Sequence, residues 1–261
     1  EFARLADAEP VFIQADISQD FKITPAQLAG AITPKTKLVF LNSPSNPTGV
    51  TYTLAELKAL GEVLKQHPNI VIASDDIYEH IFWGDEPFAN ILNACPELYD
   101  RTVIINGMSK AYCMTGWRIG YAAGPEGLIQ AMNKIQSQST SNPCAIAQKA
   151  SVAALNMDQG IIKDMVKVFK ERHDYIVNAL NEIPGFQCVK AQGAFYAFFK
   201  VEDFIKTHQM KDDIELANYL IEKAHVALVP GSAFGMPGYL RLSYATSMEN
   251  LKEAIKRLRA A

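Results

Sequence analysis

The sequence is poor in cysteine, and its few cysteines are scattered. No two of them form a C-x-x-C pair, and none stands at a spacing from a histidine that is typical of a zinc site. We therefore expect neither a metal centre nor a disulfide framework. We expect these thiols to be reduced and mostly buried. The four residues are Cys95, Cys113, Cys144 and Cys188.

An excess of positive charge and long apolar runs are also missing. The 261 residues carry a formal net charge of −3, which argues against a nucleic-acid-binding surface. No apolar run approaches the roughly 20 residues that span a bilayer, and the opening "EFARLADAEP" lacks the basic and apolar regions of a secretory signal. Because 49% of the residues are hydrophobic, the composition predicts a globular protein with an ample core, in the cytoplasm by default.

Short apolar runs alternate with a helical pattern in the first half of the chain. The runs at 37–42, 69–74 and 101–106 are rich in β-branched residues and lack strict alternation, which predicts central parallel strands buried on both faces. Between the first two lies a helical segment at 53–67, with Thr53 as N-cap and Glu56 completing a capping box. This β-α-β order predicts a mostly parallel, doubly wound α/β sheet.

The second half predicts a connecting helix and a smaller α+β domain. A helical stripe runs from 158 to 180 and ends at "NEIPGF". Its apolar positions are Ile161, Met165, Phe169, Ile176 and Leu180. Strands are expected at 194–199, 226–231 and 239–245, with helices at 212–224 and 247–260. We therefore predict a large domain over 1–157, a connector over 158–180 and a small domain over 181–261.

Polar residues follow each of the three predicted strands. In open α/β sheets ligands bind beyond the carboxyl ends of the strands, so these side chains should converge on one crevice. The converging residues are Asn46, Asp75, Tyr78, Ser109 and Lys110. Taken singly each has an ordinary explanation: a turn asparagine, a helix cap, a core tyrosine, a surface lysine. Arg118, eight residues after Lys110, could likewise pair with a carboxylate.

Together these groups suit a pyridine phosphate that bears an aldehyde, namely pyridoxal phosphate (PLP). Lys110 would form a Schiff base with the aldehyde, and Asp75 would keep the pyridine nitrogen protonated. Tyr78 and Asn46 would hydrogen-bond the phenolic oxygen. The phosphate would be bound by a guanidinium fork and a hydroxyl, which are supplied by Arg118 and Ser109.

Four motifs carry a resemblance to a known family. "SNPTG", "SDDIYEH", "NGMSKAYCMTGWRIGYAAGP" and "YLRLSYA" resemble, in order and spacing, the signatures of class I aminotransferases of PLP fold type I, closest to the bacterial aspartate and aromatic group. The resemblance implies that Lys110 shuttles a proton between the substrate α-carbon and the cofactor. It implies that Arg241 binds the substrate α-carboxylate, although a surface arginine on an edge strand is the alternative. It also implies a homodimer with residues 137–148 at the interface.

The sequence departs from this family at its beginning. Family members carry well over a hundred residues before the segment that resembles "EFARLADAEP", and those residues supply a phosphate loop, an aromatic that stacks on the pyridine, and a tyrosine lent across the dimer. No such glycine-rich loop precedes "KLVFLN". The large domain is therefore expected to be incomplete at its N-terminus. A polypeptide limited to residues 1–261 is expected to bind PLP weakly and to be a poor or inactive enzyme.

The resemblance leads us to expect transamination between aspartate or a related amino acid and a 2-oxo acid such as 2-oxoglutarate. A lyase, decarboxylase or synthase of the same fold stays open, since all would use Lys110 and Asp75. A catalytically inactive fragment or PLP-fold module also stays open. Visible absorbance would separate an inert scaffold from a PLP enzyme, and the products would separate the enzymes from one another.

Overall fold

The computed structural model describes residues 2–261 and consists of two four-stranded sheets with helices packed around them. The α-helices are α1 Phe2–Leu5, α2 Pro25–Ala31, α3 Leu54–Lys65, α4 Ile91–Ala94, α5 Glu126–Ser139, α6 Ala145–Asn156, α7 Gly160–Asn181, α8 Glu202–Thr207, α9 Asp213–Tyr219 and α10 Met248–Ala260. The strands are β1 Leu38–Asn42, β2 Val71–Asp75, β3 Thr102–Gly107, β4 Gly120–Ala123, β5 Gln187–Cys188, β6 Tyr196–Lys200, β7 Val229–Pro230 and β8 Tyr239–Ser243. No helix within 2–261 has the length and apolar character to cross a membrane.

The first sheet is mostly parallel, as predicted. Its order is β1-β2-β3-β4, with parallel pairing of β1 with β2 and of β2 with β3. The strand β4 is antiparallel to β3 and was not predicted, because four residues after a left-handed turn give too short a pattern. Within residues 2–261, β1 lies at one edge of this sheet and not at the central position that the sequence predicted.

Helix α3 forms where its capping residues predict. The Thr53 hydroxyl accepts the backbone N–H of Glu56, and the Glu56 carboxylate accepts the backbone N–H of Thr53. The buried face of the helix packs on one face of the first sheet. That core contains Leu28, Leu41, Leu60, Leu64, Ile72, Ile91, Cys95 and Leu98.

The opposite face of β1 is open, which corrects the expectation that the strand is buried on both sides. Leu38 and Phe40 are 54% and 58% exposed. Their neighbour Leu41 points the other way and is buried, as the twofold repeat of a strand requires. Within residues 2–261, no helix covers the Leu38 and Phe40 side of the strand.

The second half contains the connector and the smaller α+β unit. Helix α7 runs within two residues of its predicted limits, but Ile161 is 64% exposed, so the predicted stripe was wrong at that position. The helix buries Ile162 in its place, while Phe169, Ile176 and Leu180 are buried as predicted. The second sheet has the order β5-β6-β8-β7 and is antiparallel throughout. Its strands β6, β7 and β8 overlap the three predicted runs, and the domain limits at 157 and 180 stay predictions.

The four cysteines are free thiols in the described chain. The prediction that they are mostly buried holds for two of them. Cys95 and Cys188 are buried, whereas Cys113 and Cys144 are exposed. Cys113 has a positive φ of 55° in the loop after β3, and Cys144 caps helix α6. Both therefore lie in connections, where packing does not favour an apolar side chain.

A buried histidine joins α7 to the loop before β6. His173 is 2% exposed, and its Nε2 accepts the backbone N–H of Ala191 at 2.8 Å. Nδ1 contacts a carboxylate oxygen of Asp174 at 2.9 Å. Burial lowers the pKa of His173 below its usual 6.5, against the opposing effect of Asp174, while Lys170 and Lys190 lower it further. The neutral form is thus the one the fold holds.

This arrangement predicts a pH-dependent stability. The unfolded chain binds a proton at His173 more readily than the folded chain, so the free energy of unfolding falls as the pH drops below about 6.5. His173→Gln keeps an acceptor for Ala191 but cannot titrate. We expect the destabilisation caused by His173→Gln, measured by urea unfolding, to be larger at pH 8 than at pH 5.5. Equal destabilisation at the two pH values would contradict this assignment.

Candidate active site

The carboxyl ends of β1 and β2 place two polar residues side by side. Asn42 pairs with Asp75 in the parallel ladder, and the Asn42 side-chain amide donates to the Asp75 carbonyl at 3.1 Å. The Asp75 carboxylate accepts the backbone N–H of Ile77 at 3.2 Å. Burial raises the pKa of Asp75, whereas the Ile77 N–H and the charge of Lys110 lower it. A carboxylate beside a lysine therefore lies where the sheet ends.

The neighbouring Asp76 has a different environment. It is 1% exposed, and its carboxylate accepts the Ser74 hydroxyl at 2.7 Å and the Asn90 amide at 2.8 Å. Burial raises the pKa of Asp76 to about 6, because these two hydrogen bonds only partly offset it. The Asp76 carboxylate thus links the end of β2 to the residue before α4 through hydrogen bonds on both of its oxygens. Of the two aspartates, Asp75 is the one whose pKa is lowered by the charge of Lys110.

Lys110 lies in the loop that follows β3. Its Nζ is 5.9 Å from the centre of the Tyr78 ring and makes no hydrogen bond or ion pair with residues 2–261. The side chain is half-buried. A half-buried ammonium whose neighbours are an aromatic face and a nearby carboxylate is unusual for a solvated surface lysine. The Lys110 side chain therefore has no hydrogen-bond or ion-pair partner within the described chain.

Tyr78 connects the two sheets. Its ring is buried, and its hydroxyl is 3.0 Å from the hydroxyl of Tyr196 at the start of β6. Burial raises the pKa of Tyr78, and the hydrogen bond with Tyr196 raises it further. The phenol therefore stays protonated and can donate a hydrogen bond. The interpretation of Tyr78 as a core aromatic is correct for its ring, while its hydroxyl contacts Tyr196 of the second sheet and its predicted role toward the cofactor stays a prediction.

Arg241 on β8 lies between two aromatic rings. Its guanidinium carbon is 4.5 Å from the centre of the Tyr196 ring and 4.9 Å from that of Phe234. One terminal nitrogen donates to the Asn46 side-chain oxygen at 2.8 Å. The Nε is buried and has no hydrogen-bond partner within the described chain. An unpaired buried donor on a charged group indicates a missing acceptor, such as a ligand carboxylate.

Asn46 is held by the loop that follows β1. Its backbone N–H donates to the Asn42 side chain at 2.9 Å, and Ser45 closes the loop by donating to the Val50 carbonyl. Gly49 has a φ of 71°, and a Cβ there would come within 2.8 Å of the Gly193 carbonyl oxygen. The close approach of this loop to the segment before β6 brings Asn46 from the first sheet to Arg241 of the second.

Ser109 and Arg118 are joined through Thr115. The Thr115 hydroxyl donates to the Ser109 carbonyl at 2.8 Å, and Arg118 donates to the Thr115 carbonyl at 2.9 Å. Arg118 is exposed and has a φ of 53°. Because only one of its guanidinium nitrogens is used, the others remain available to an anion. The predicted binding of a phosphate by Arg118 and the Ser109 hydroxyl stays a prediction.

The sequence reasoning missed Tyr196 and Phe234. Tyr196 lies in "AFYAFF", where an aromatic strand residue is as expected of a core as of a site. Its strand pairing carried the usable signal, since residue 198 lies opposite Arg241 and Tyr196 is the diagonal neighbour on the same face. Phe234 lies in the connection between β7 and β8, and no pattern in the sequence indicates that it belongs to the site.

The fold and these residues define an α/β protein with a candidate ligand site at the carboxyl ends of its parallel strands. A lysine and a carboxylate lie beyond the carboxyl ends of parallel strands, with an arginine supplied by a second α+β unit. The profile of the family "Aminotransferase class I and II" matches residues 1–258. The chain belongs to this family, as the motifs in its sequence indicated.

Relatives and solved structures agree with this membership. The chain is 56% identical over 260 residues to an aspartate/prephenate aminotransferase of Nitrosomonas europaea, covering 97% of this chain and 66% of the relative. A crystal structure of an aspartate aminotransferase of Rhizobium meliloti superposes with a TM-score of 0.94 at 46% identity, over 99% of this chain and 66% of that one. A Thermus thermophilus aspartate aminotransferase with maleate gives 0.88 at 37% identity, over 98% and 65%.

These findings confirm the predicted fold. The mixed α/β architecture with its parallel-rich sheet is PLP fold type I. The chain spans slightly less than two thirds of the length of the relatives above.

Proposed function

We propose that this chain belongs to a PLP-dependent aminotransferase that exchanges the amino group between aspartate, or a related amino acid, and a 2-oxo acid such as 2-oxoglutarate. One observation carries the proposal. An unbroken series of contacts runs from the loop after β3 to the loop after β1. Its members, in order, are Lys110, Tyr78, Tyr196, Arg241 and Asn46. The series joins the unpaired amine of Lys110 to the guanidinium of Arg241, whose Nε has no partner within the described chain. An amino acid substrate needs both an amine that can exchange with its amino group at the cofactor and a cation that binds its carboxylate.

The residues present fit pyridoxal phosphate. Lys110 has a free amino group for the aldehyde, Asp75 supplies the carboxylate for the pyridine nitrogen, and the Tyr78 hydroxyl can donate to the phenolic oxygen. Arg118 and the Ser109 hydroxyl are the candidate phosphate ligands. When bound, the cofactor supplies an electron sink for the charge that develops on the substrate α-carbon.

Lys110 would also have a second role in the reaction. As a free amine, its Nζ would accept the proton of the substrate α-carbon and deliver it to the cofactor carbon that receives the amino group. The half-buried position limits access of water to that proton. The aromatic face of Tyr78 at 5.9 Å keeps the ammonium form within the site.

Arg241 is the candidate ligand of the substrate α-carboxylate. The guanidinium is fixed between two rings, and one nitrogen is oriented by Asn46. The unpartnered Nε leaves a donor for a carboxylate oxygen. Relatives are named for aspartate and prephenate, and one solved structure contains maleate; all three compounds carry two carboxylates, which supports a substrate of that kind.

Replacing Arg241 tests this assignment. We expect Arg241→Leu in the full-length protein to raise KM for both the amino acid and the oxo acid by about 100-fold or more, because the substrate carboxylate loses its charged partner. The absorbance spectrum of bound PLP should not change. Steady-state kinetics and visible spectroscopy provide the two measurements.

A matched control is available on α10. Arg257→Leu removes a guanidinium that pairs at the surface with Glu253, and it should leave both KM values unchanged. If Arg241→Leu weakens PLP binding while both KM values measured at saturating PLP are unchanged, the roles of Arg241 and Arg118 are reversed.

Product analysis tests the reaction itself. Aspartate with 2-oxoglutarate should give oxaloacetate and glutamate in equal amounts. Release of ammonia or carbon dioxide instead would identify a lyase or decarboxylase of the same fold. A colourless protein that gives no product with PLP present would identify a catalytically inactive module.

We also propose that the enzyme is a cytoplasmic homodimer. Helix α5 buries none of its side chains within residues 2–261, and Ile135 on it is 72% exposed. The adjacent α6 exposes Ile146 and Val152 at 71% and 57%. Apolar surface of this extent supports an interface that includes residues 137–148. Four free thiols support a reducing compartment.

A further inference from the structure

Asp213 is a buried carboxylate that the proposed reaction does not use. It is the first residue of α9, is 0% exposed and forms no ion pair with any residue from 2 to 261. A buried charge without a counter-ion is costly unless hydrogen bonds compensate it. The hydrogen bonds that Asp213 accepts must therefore offset the cost of its burial.

All the donors to this carboxylate that lie outside its own helix come from one loop. The Ser232 backbone N–H donates at 2.8 Å and the Ser232 hydroxyl at 2.7 Å, while the Gly238 N–H approaches the carboxylate at 3.4 Å. Ser232 lies at the start of the loop between β7 and β8, and Gly238 lies at its end. A single carboxylate thus fastens both ends of residues 231–238.

This loop carries one wall of the arginine site. Phe234 is the residue whose ring lies 4.9 Å from the Arg241 guanidinium carbon. The opposite wall, Tyr196, belongs to β6 and is fixed by the strand ladder, whereas Phe234 has no such ladder. The loop also leads directly into β8, on which Arg241 lies. The position of Phe234 beside the guanidinium consequently depends on the conformation of this loop.

We infer that Asp213 is a positioning residue for substrate binding: by anchoring the 231–238 loop, it holds Phe234 against Arg241 and keeps the guanidinium aimed at the substrate carboxylate. The inference rests on the proposed carboxylate-binding role of Arg241. It assigns the effect of Asp213 to substrate affinity and not to the chemistry at Lys110, because none of its contacts reaches Lys110, Asp75 or Tyr78.

The test is Asp213→Asn in the full-length, PLP-loaded protein. One oxygen acceptor becomes an amide donor that faces the loop donors, so the anchor fails while the side-chain volume is kept. We expect KM for both substrates and the Kd of succinate, an unreactive dicarboxylate, to rise about tenfold, with kcat and the PLP spectrum unchanged. Asp212→Asn is the matched control, since asparagine caps a helix as well as aspartate does and the change in charge is the same.

A double-mutant cycle shows whether Asp213 acts through Phe234. In a Phe234→Leu background, Asp213→Asn should add less than a threefold change in succinate Kd, because the ring that it positions is already absent. A full tenfold addition would overturn the proposed route. An unchanged succinate Kd in Asp213→Asn alone, or a fall in kcat at constant KM, would overturn the inference itself.

Two further outcomes are separable. If Asp213→Asn does not fold, Ser232→Ala removes one donor and should raise succinate Kd about threefold, and an unchanged Kd would contradict the role of the anchor. A wild-type protein that binds no succinate would contradict the proposed function of Arg241, and the role of Asp213 with it. Succinate binding in the wild type that is unaffected by Asp213→Asn would contradict only the inference.

Discussion

Lys110→Ala should abolish transamination in the full-length protein while leaving PLP able to bind without a covalent bond. The change removes the only amine in the contact series that runs through Tyr78, Tyr196 and Arg241, and with it both the attachment to the aldehyde and the proton carrier. We expect a loss of at least about 10⁴-fold in kcat, since general acid–base catalysis alone contributes about 10²–10⁴ and the covalent role is lost as well. A single-turnover assay with aspartate measures the effect.

The control and the contradicting result are both direct. Lys252→Ala on α10 removes an exposed lysine that lies outside the site, and it should retain full activity. Transamination by Lys110→Ala above a few per cent of the wild-type rate would show that another group carries the proton, and the assignment of Lys110 would be wrong.

Asp75→Asn should give the second largest loss. An amide cannot balance the charge of a protonated pyridine nitrogen, so the cofactor would stabilise less of the negative charge that develops on the α-carbon. We expect kcat to fall about 10³-fold, which corresponds to about 4 kcal/mol of barrier. Substrate Kd should change little, because Asp75 does not contact Arg241 or Asn46.

The adjacent aspartate is the matched comparison. Asp76→Asn changes a carboxylate that is held by Ser74 and Asn90, so we expect lower thermal stability with kcat within about threefold of the wild type. The opposite pattern, with kcat lost in Asp76→Asn and kept in Asp75→Asn, would show that Asp76 is the acid that faces the ring.

Local patterns predicted the parts of this fold that local interactions determine. Thr53 and Glu56 form the capping box that their spacing predicts. The predicted strands 37–42, 69–74 and 101–106 end within one residue of the observed ends at Asn42, Asp75 and Gly107. Because parallel strands share one carboxyl edge, the strand ends alone brought Asp75 and Lys110 together in prediction. The fold-family resemblance then added Arg241, which its own strand could not have indicated.

The remaining features depend on contacts between distant segments. The place of β1 at the sheet edge follows from pairing order, and the exposure of Ile161 follows from how α7 lies on the second sheet. Tyr196 and Phe234 belong to the site because of their distance from Arg241, which no periodicity encodes. Asp213 has the sequence signature of an ordinary acidic helix start and is revealed only by its burial.

One measurement tests the central claim most directly, namely that Lys110 is the residue to which PLP is attached. The full-length protein is incubated with PLP and reduced with borohydride, and its peptides are mapped by mass spectrometry. The account predicts one phosphopyridoxyl group per chain, carried by Lys110, and none in the Lys110→Ala protein. A stoichiometric label on another lysine, or no label in a protein that nevertheless catalyses transamination, would contradict it.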